Sequence, residues 1–274
     1  MTVYDTDKEH TIWFMGSAVE PSGRMTPYSP EHLVMLAVTV VVVVVFLVIA
    51  RRIRGTVHED RLLTAFGWVM LTVTLIWTLW GMLPGQWNID QSLPFQFSDA
   101  LRFITAIALL TRSGWAIVIC YFWGLTLNVQ SVITPDLNYF TLPIVEFGMY
   151  WFLHITALVV PIMFMWGLGY RPTWRGYGFT YAATLLWAGI AICVNLITGA
   201  NYAYLNHGPV GPSVLDLLGP WPIYILWAAI IIAAAWALMT WPWETQHTRT
   251  LPVADRWSTV RREAPRVAPN LAEY

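Results

Sequence analysis

Ser98, Asp99 and His154 are the residues of this sequence best suited to chemistry. A serine hydroxyl becomes a nucleophile when a histidine takes its proton and a carboxylate orients the imidazole, the arrangement used for acyl transfer. Ser98 and Asp99 stand in "LPFQFSDALR" (93–102) beside Gln96 and Arg102, and His154 stands in "FLHITALV" (152–159). His154 interrupts a long apolar run, where an ionisable side chain is costly and marks a functional position by default. Glu146, Tyr150 and His154 recur every four residues, which puts them on one helical stripe and makes Glu146 a second carboxylate able to orient the imidazole. The residue types therefore nominate Ser98 as nucleophile, His154 as base, and Asp99 or Glu146 as orienter, on helices whose meeting the spacing does not show.

Plainer roles compete with each of these. Asp99 and Arg102 are three apart on one helix and could simply neutralise one another. Glu146 opens an apolar run, where the helix dipole favours a carboxylate. His154 could hydrogen-bond a neighbouring helix and do nothing more. No G-x-S-x-G turn strengthens the nucleophile assignment. There is no H-E-x-x-H, no second His or Cys at ligand spacing from His154, and no Gly-rich phosphate loop, so neither a metal nor another cofactor is expected. The two cysteines, Cys120 and Cys193, both fall in apolar runs and read as small hydrophobes.

These residues need elements to hold them, and the composition says what kind. The 274 residues are 57% hydrophobic and 11% charged, with mean hydropathy +0.55, a profile far more apolar than that of a soluble domain. A net charge of −1 leaves no basic stripe for a nucleic acid. Seven apolar stretches approach the roughly 20 residues that a helix needs to cross a bilayer: 33–50, 62–83, 93–111, 114–133, 145–168, 177–198 and 221–241. The third, counted from a Ser92 N-cap with Pro94 in its first turn, is about 28 Å long and barely reaches across. The expected fold is an all-α, polytopic bundle of seven transmembrane helices.

Twelve arginines, from Arg51 to Arg266, fall in the tail and in alternate connections. The intervening connections "LPGQWNIDQS", "TPDLNYFTLP" and "GANYAYLNHGPVGPSVLDLLGP" contain no Lys or Arg. Basic loops stay on the cytoplasmic side, so the N-terminus is expected outside and the C-terminus inside, in the plasma (inner) membrane. The arginine bias, with Lys8 the single lysine, fits a GC-rich bacterial source. Residues 1–32 read as a polar outer segment without the apolar core of a signal peptide. Residues 33–242 form one membrane domain, and 243–274 read as a polar, extended cytoplasmic tail.

Placed by depth, the polar residues of the spans gather at one side of the membrane. Gln96, Ser98, Asp99 and Arg102 open span three; Asn128 and Gln130 close span four; Glu146, Tyr150 and His154 lie in the first half of span five; Asn195 ends span six; Asn201, Tyr202 and Asp216 follow in the next connection. The other halves are apolar and aromatic, which disfavours a continuous channel or transport route. The expectation is a polar pocket open to the outside or to the outer leaflet, with Asn195 alternatively serving as glue between helices.

Several segments together resemble a known family: "LPFQFSD", "YFWGLTLNVQSVITPDL", "FLHITALV", "GYRPTW", "NLITGANYAYL" and "SVLDLLGPWPIYI". They are similar to the YwaF-like bacterial integral membrane proteins and the related eukaryotic transmembrane protein 164 group, over about residues 28–243. The bacterial members are largely uncharacterised seven-span proteins, whereas the eukaryotic branch is regarded as a lipid acyltransferase group using a Cys and a His. The resemblance implies that His154 is the family His. Relatives commonly read "LPLHLCD" where this chain reads "LPFQFSD", so Gln96 replaces a His and Ser98 replaces a Cys, with Asp99 kept. A hydroxyl needs more activation than a thiol. Two functions are therefore expected. The first is an outward pocket that binds a lipid or acylated envelope molecule and transfers an acyl chain; the second is a non-catalytic accessory subunit of a larger membrane complex. The expected partners are membrane lipids and such a complex, with no nucleic acid.

Overall fold

The computed structural model describes residues 22–208, 214–245, 250–252 and 258–263. Helix α1 (Pro30–Ile53) starts at Ser29, whose Oγ accepts the His32 N–H, with Pro30 in the first turn, where its missing N–H costs nothing. The "VVVVV" run is helical despite its branched side chains, as lipid requires of any segment that must satisfy its own backbone. Helix α2 (Val57–Gly81) begins at a Thr56 cap. Then follow α3 (Phe97–Thr111), α4 (Gly114–Leu125), α5 (Leu127–Ile133), α6 (Pro143–Ile162), α7 (Trp174–Thr198) and α8 (Ile223–Glu244). Past Pro161, α6 runs into a π-helical turn, Met163–Gly167.

Six helical stretches among the described residues are long and apolar enough to cross a membrane: α1, α2, α4 with α5, α6 with its π turn, α7 and α8. The chain is a multi-pass membrane protein. The third expected span is the exception. It begins at Phe97 and not at Leu93, because the Asp99 carboxylate turns back to accept the Gln96 N–H at 3.1 Å and Gln96 keeps extended backbone. Ser92 is not its cap; the Ser92 hydroxyl instead accepts the Asn88 N–H at 2.8 Å. At 15 residues α3 measures about 22 Å, short of the hydrocarbon thickness.

Span four is interrupted at Thr126 (φ −125°, ψ −70°), which separates α4 from α5. The Thr126 hydroxyl donates to Phe122 O and accepts from Trp236 Nε1, so the break is held from α8. Helix α4 is the core: from Ala116 to Gly124 every residue is buried, against α3, α6 and α7. Gly124 permits the α4–α6 crossing, since a Cβ there would lie 2.5 Å from Ala157 O. The outer helices α1, α2, α7 and α8 leave large apolar side chains exposed, among them Val41, Ile76, Leu186 and Leu226. In a bilayer those faces meet lipid.

Two small sheets mark the two ends of the bundle. Strand β1 (Gly23–Arg24) pairs antiparallel with β2 (Asn138–Tyr139). At the other end β3 (Tyr170–Pro172) pairs with β5 (Val260–Glu263), which also pairs with β4 (Thr250–Pro252). The tail expected to be free chain thus returns to the bundle. Glu263 takes ion pairs from Arg54 and Arg171, and Arg262 reaches Glu59 at 2.6 Å. Gly176 makes room for this strand, because a Cβ there would be 2.2 Å from Thr259 O. Arg249, Arg256 and Arg266 of the tail, and residues 1–21 of the N-terminal segment, lie outside the described residues. The remainder of the N-terminal segment, 22–29, docks through β1.

Candidate functional site

His154 sits on α6 opposite the head of α5. Its Nδ1 lies 2.7 Å from Asn128 Oδ1, and Asn128 Nδ2 donates to the His154 main-chain carbonyl at 2.9 Å. Because the amide nitrogen is committed to that carbonyl, the amide oxygen must be the acceptor, so Nδ1 carries the ring proton. The lone pair is then on Nε2, which has no hydrogen-bond partner among the described residues. The Tyr150 ring packs 4.3 Å from the imidazole, centroid to centroid and tilted by 49°, and its hydroxyl donates to Ser131 O at 2.8 Å, which fixes that ring in turn. The break at Thr126 is what lets α5 depart from the α4 axis and present Asn128 here.

Ser98 occupies the first turn of α3, half-buried, and its hydroxyl makes no hydrogen bond among the described residues. The backbone N–H groups of Phe97 and Ser98 are likewise unpaired there, as at any helix start. Asp99 pairs with Arg102 at 3.1 Å, the pair is largely buried, and Arg102 also donates to Thr78 Oγ1. Helix α3 packs on α6. No hydrogen bond joins Ser98 to His154.

Neither nominated carboxylate hydrogen-bonds the imidazole. Asp99 is occupied by Arg102 and the Gln96 N–H. Glu146 accepts the N–H groups of Phe140, Thr141 and Leu142 and so ties the β2–α6 turn to the helix start, the dipole role open to it from the sequence. The group that orients His154 is Asn128.

The remaining residues expected around the pocket form a cap. Gln96 Oε1 accepts the Ala203 N–H at 2.8 Å. Asn195 exchanges two hydrogen bonds with the Tyr202 main chain, so it binds its own following loop and not another helix. Tyr202, fully buried, donates to Ile89 O and accepts the Leu93 N–H. Asn201 accepts from the main chains of Asn206 and His207. Burial pushes the Tyr202 phenol above its usual range, and burial together with the Asp136 carboxylate does the same to Tyr204, whose hydroxyl donates to Asp136 at 2.6 Å. Gln130 and Asp216 are exposed. Asn128, Tyr150 and His154 thus form one contact group and Asp99 with Arg102 another, with Ser98 hydrogen-bonded to neither; these six are the candidate site group, and Gln96, Glu146, Asn195, Asn201 and Tyr202 hold loops of the same end.

His32 escaped the sequence reading because it precedes the first apolar stretch by one residue. It is fully buried, accepting the Tyr28 N–H and bonding Val132 O. Cys120 is sealed in α4 against Thr105, out of reach of any substrate. No cluster of three or more His, Cys, Asp or Glu able to hold a metal occurs among the described residues.

No curated protein and no solved structure matches the chain. The model of the TMEM164 family matches residues 27–240, a span that takes in every residue of the site group. The chain belongs to the TMEM164 family.

Proposed function

We propose that this multi-pass membrane protein transfers an acyl chain from a lipid or acylated envelope molecule, with Ser98 as nucleophile and His154 as base. The observation that carries the reading is the Asn128–His154 pair, which holds the imidazole in the tautomer whose Nε2 can accept a proton. In the first step Ser98 Oγ adds to the ester carbonyl as its proton passes to Nε2. Collapse breaks the ester C–O bond, the leaving alcohol takes the proton from Nε2, and an acyl-serine remains. An acceptor hydroxyl or water reverses the sequence. The free Phe97 and Ser98 N–H groups are the donors available to the oxyanion. The reading orients the arginine-rich end toward the cytoplasm and the site toward the outer side of a bacterial plasma membrane.

The test is transfer of a labelled acyl chain by the purified chain in lipid nanodiscs, with intact-mass detection of the acyl-enzyme. Ser98→Ala and His154→Gln should each lower transfer by at least about 100-fold, and Ser98→Cys should retain it. Equal turnover by Ser98→Ala overturns the mechanism.

The absence of a Ser98–His154 hydrogen bond favours a second reading, a non-catalytic subunit packed by its apolar helices against a larger membrane complex. Co-purification with such a complex, by a chain inert toward every acyl donor, would support it.

A further inference from the structure

A cleft of about 300 Å³ lies at the head of α1, lined by Arg24, Met25, Thr26, Ser29, Glu31 and Tyr139 among others. Its volume is at the lower end of the range for small-molecule sites. The β1–β2 ladder supplies one wall, placing Gly23 opposite Tyr139 and Arg24 opposite Asn138. The first turn of α1 supplies the other, and Met25, 3% exposed, contributes a buried lining side chain.

The charges in the cleft are of both signs and are not spent on each other. Arg24 pairs with Asp136 through one nitrogen at 2.9 Å, which leaves most of its five N–H donors free. Glu31 has no hydrogen bond or ion pair among the described residues. The helix dipole accounts for a carboxylate in the first turn of α1, and the Asp136 pair engages only one nitrogen of the arginine on the facing wall. Ser29 accepts the His32 N–H and keeps its own O–H to donate. Glu31 and Tyr139 line the cleft together, and burial, then the Glu31 and Glu146 charges, push the Tyr139 phenol up.

The location adds a second requirement. Leu33 and Val34, one turn into α1, are more than half exposed, and α1 is among the spans of the bundle. A molecule in the cleft therefore stands at the bilayer surface with an apolar helix face directly beneath it.

We propose that this cleft binds the headgroup of a zwitterionic phospholipid. The phosphate meets the free Arg24 N–H groups and the Thr26 and Ser29 hydroxyls; the ammonium meets the Glu31 carboxylate and the Tyr139 ring; the acyl chains lie along Leu33 and Val34. The site is separate from Ser98 and His154 and does not depend on acyl transfer.

The experiment is native mass spectrometry of the full chain after exposure to equal amounts of phosphatidylethanolamine, phosphatidylcholine and phosphatidylglycerol with identical acyl chains. The two zwitterionic lipids should be retained several-fold over phosphatidylglycerol. Glu31→Gln, which removes no hydrogen bond or ion pair among the described residues, should shift retention toward phosphatidylglycerol. Arg24→Gln should lower retention of all three. Equal retention by the unaltered chain, or an unchanged preference in Glu31→Gln, overturns the proposal. Competition by soluble glycerophosphoethanolamine at concentrations matching the lipid would assign the cleft to a free headgroup instead and overturn the lipid. A photo-crosslinker in place of Tyr139 should capture lipid; capture of residues 1–21 would make the N-terminal segment the occupant and overturn the proposal as well.

Discussion

The two ends of the bundle are held together by different chemistry. Around Ser98 and His154 the 199–208 loop and its neighbours are fastened by amides and phenols: Asn195 to Tyr202, Tyr202 to Ile89 and Leu93, Gln96 to Ala203, and Asn128 to His154; the ion pairs of that end, Asp99–Arg102 and Arg24–Asp136, lie within α3 and beside the β1–β2 sheet. At the arginine-rich end the fastenings are ionic: Arg54 and Arg171 on Glu263, Arg262 on Glu59, and Arg112 on Asp60. Burial, with the Arg54 charge adding to it, pulls the Arg171 guanidinium below its usual range. Neutral hydrogen bonds give precise position and are indifferent to salt. Partly exposed ion pairs are weakened by screening.

The largest expected effect comes from breaking the neutral end. Tyr202→Ala empties a fully buried ring site and deletes both hydroxyl bonds, and should cost about 3–5 kcal/mol of stability in a thermal melt in detergent. Tyr202→Phe keeps the ring and should cost only about 1–2 kcal/mol. A similar loss in both would mean that the hydroxyl alone holds the cap.

Glu263→Gln tests the ionic end. It leaves Arg54 and Arg171 without their shared carboxylate and should cost about 1–3 kcal/mol, read as faster protease cleavage after residue 252. Salt at about 1 M should mimic this in the unaltered chain, since the screening length falls to about 3 Å, while cleavage in the 199–208 loop stays unchanged. Salt sensitivity at both ends would erase the distinction.

The smallest effect is in pH. Tyr202 and Tyr204 are raised above their ordinary values in the folded protein, so their contribution is complete below the unfolded tyrosine value of about 10 and is lost as pH rises beyond it. Hydrogen exchange in the 199–208 loop should therefore accelerate above about pH 10, and less so in Tyr204→Phe.

The helices were legible in the chain because a bilayer leaves an apolar run of sufficient length little alternative to helix. The expected fifth span, 145–168, became Pro143–Ile162 with its π turn, and the sixth, 177–198, became Trp174–Thr198. The third starts four residues later than expected for a local reason: the Asp99 carboxylate turns back to accept the Gln96 N–H. Ser98 and His154 were legible as reactive types in apolar surroundings. Their orienter was not, since Asn128 is 26 residues from His154 and reaches it only because the helix breaks at Thr126.

Composition and the alternation of arginine-rich connections determined by themselves a multi-pass helical membrane protein with two chemically unlike ends, because hydrophobic length and loop charge are properties of the chain. Only the tertiary structure decided that Asn128 and not Asp99 or Glu146 holds His154, and that β5 of the tail returns to β3. Both depend on one side chain finding its partner across the bundle, and that pairing is set by packing around α4.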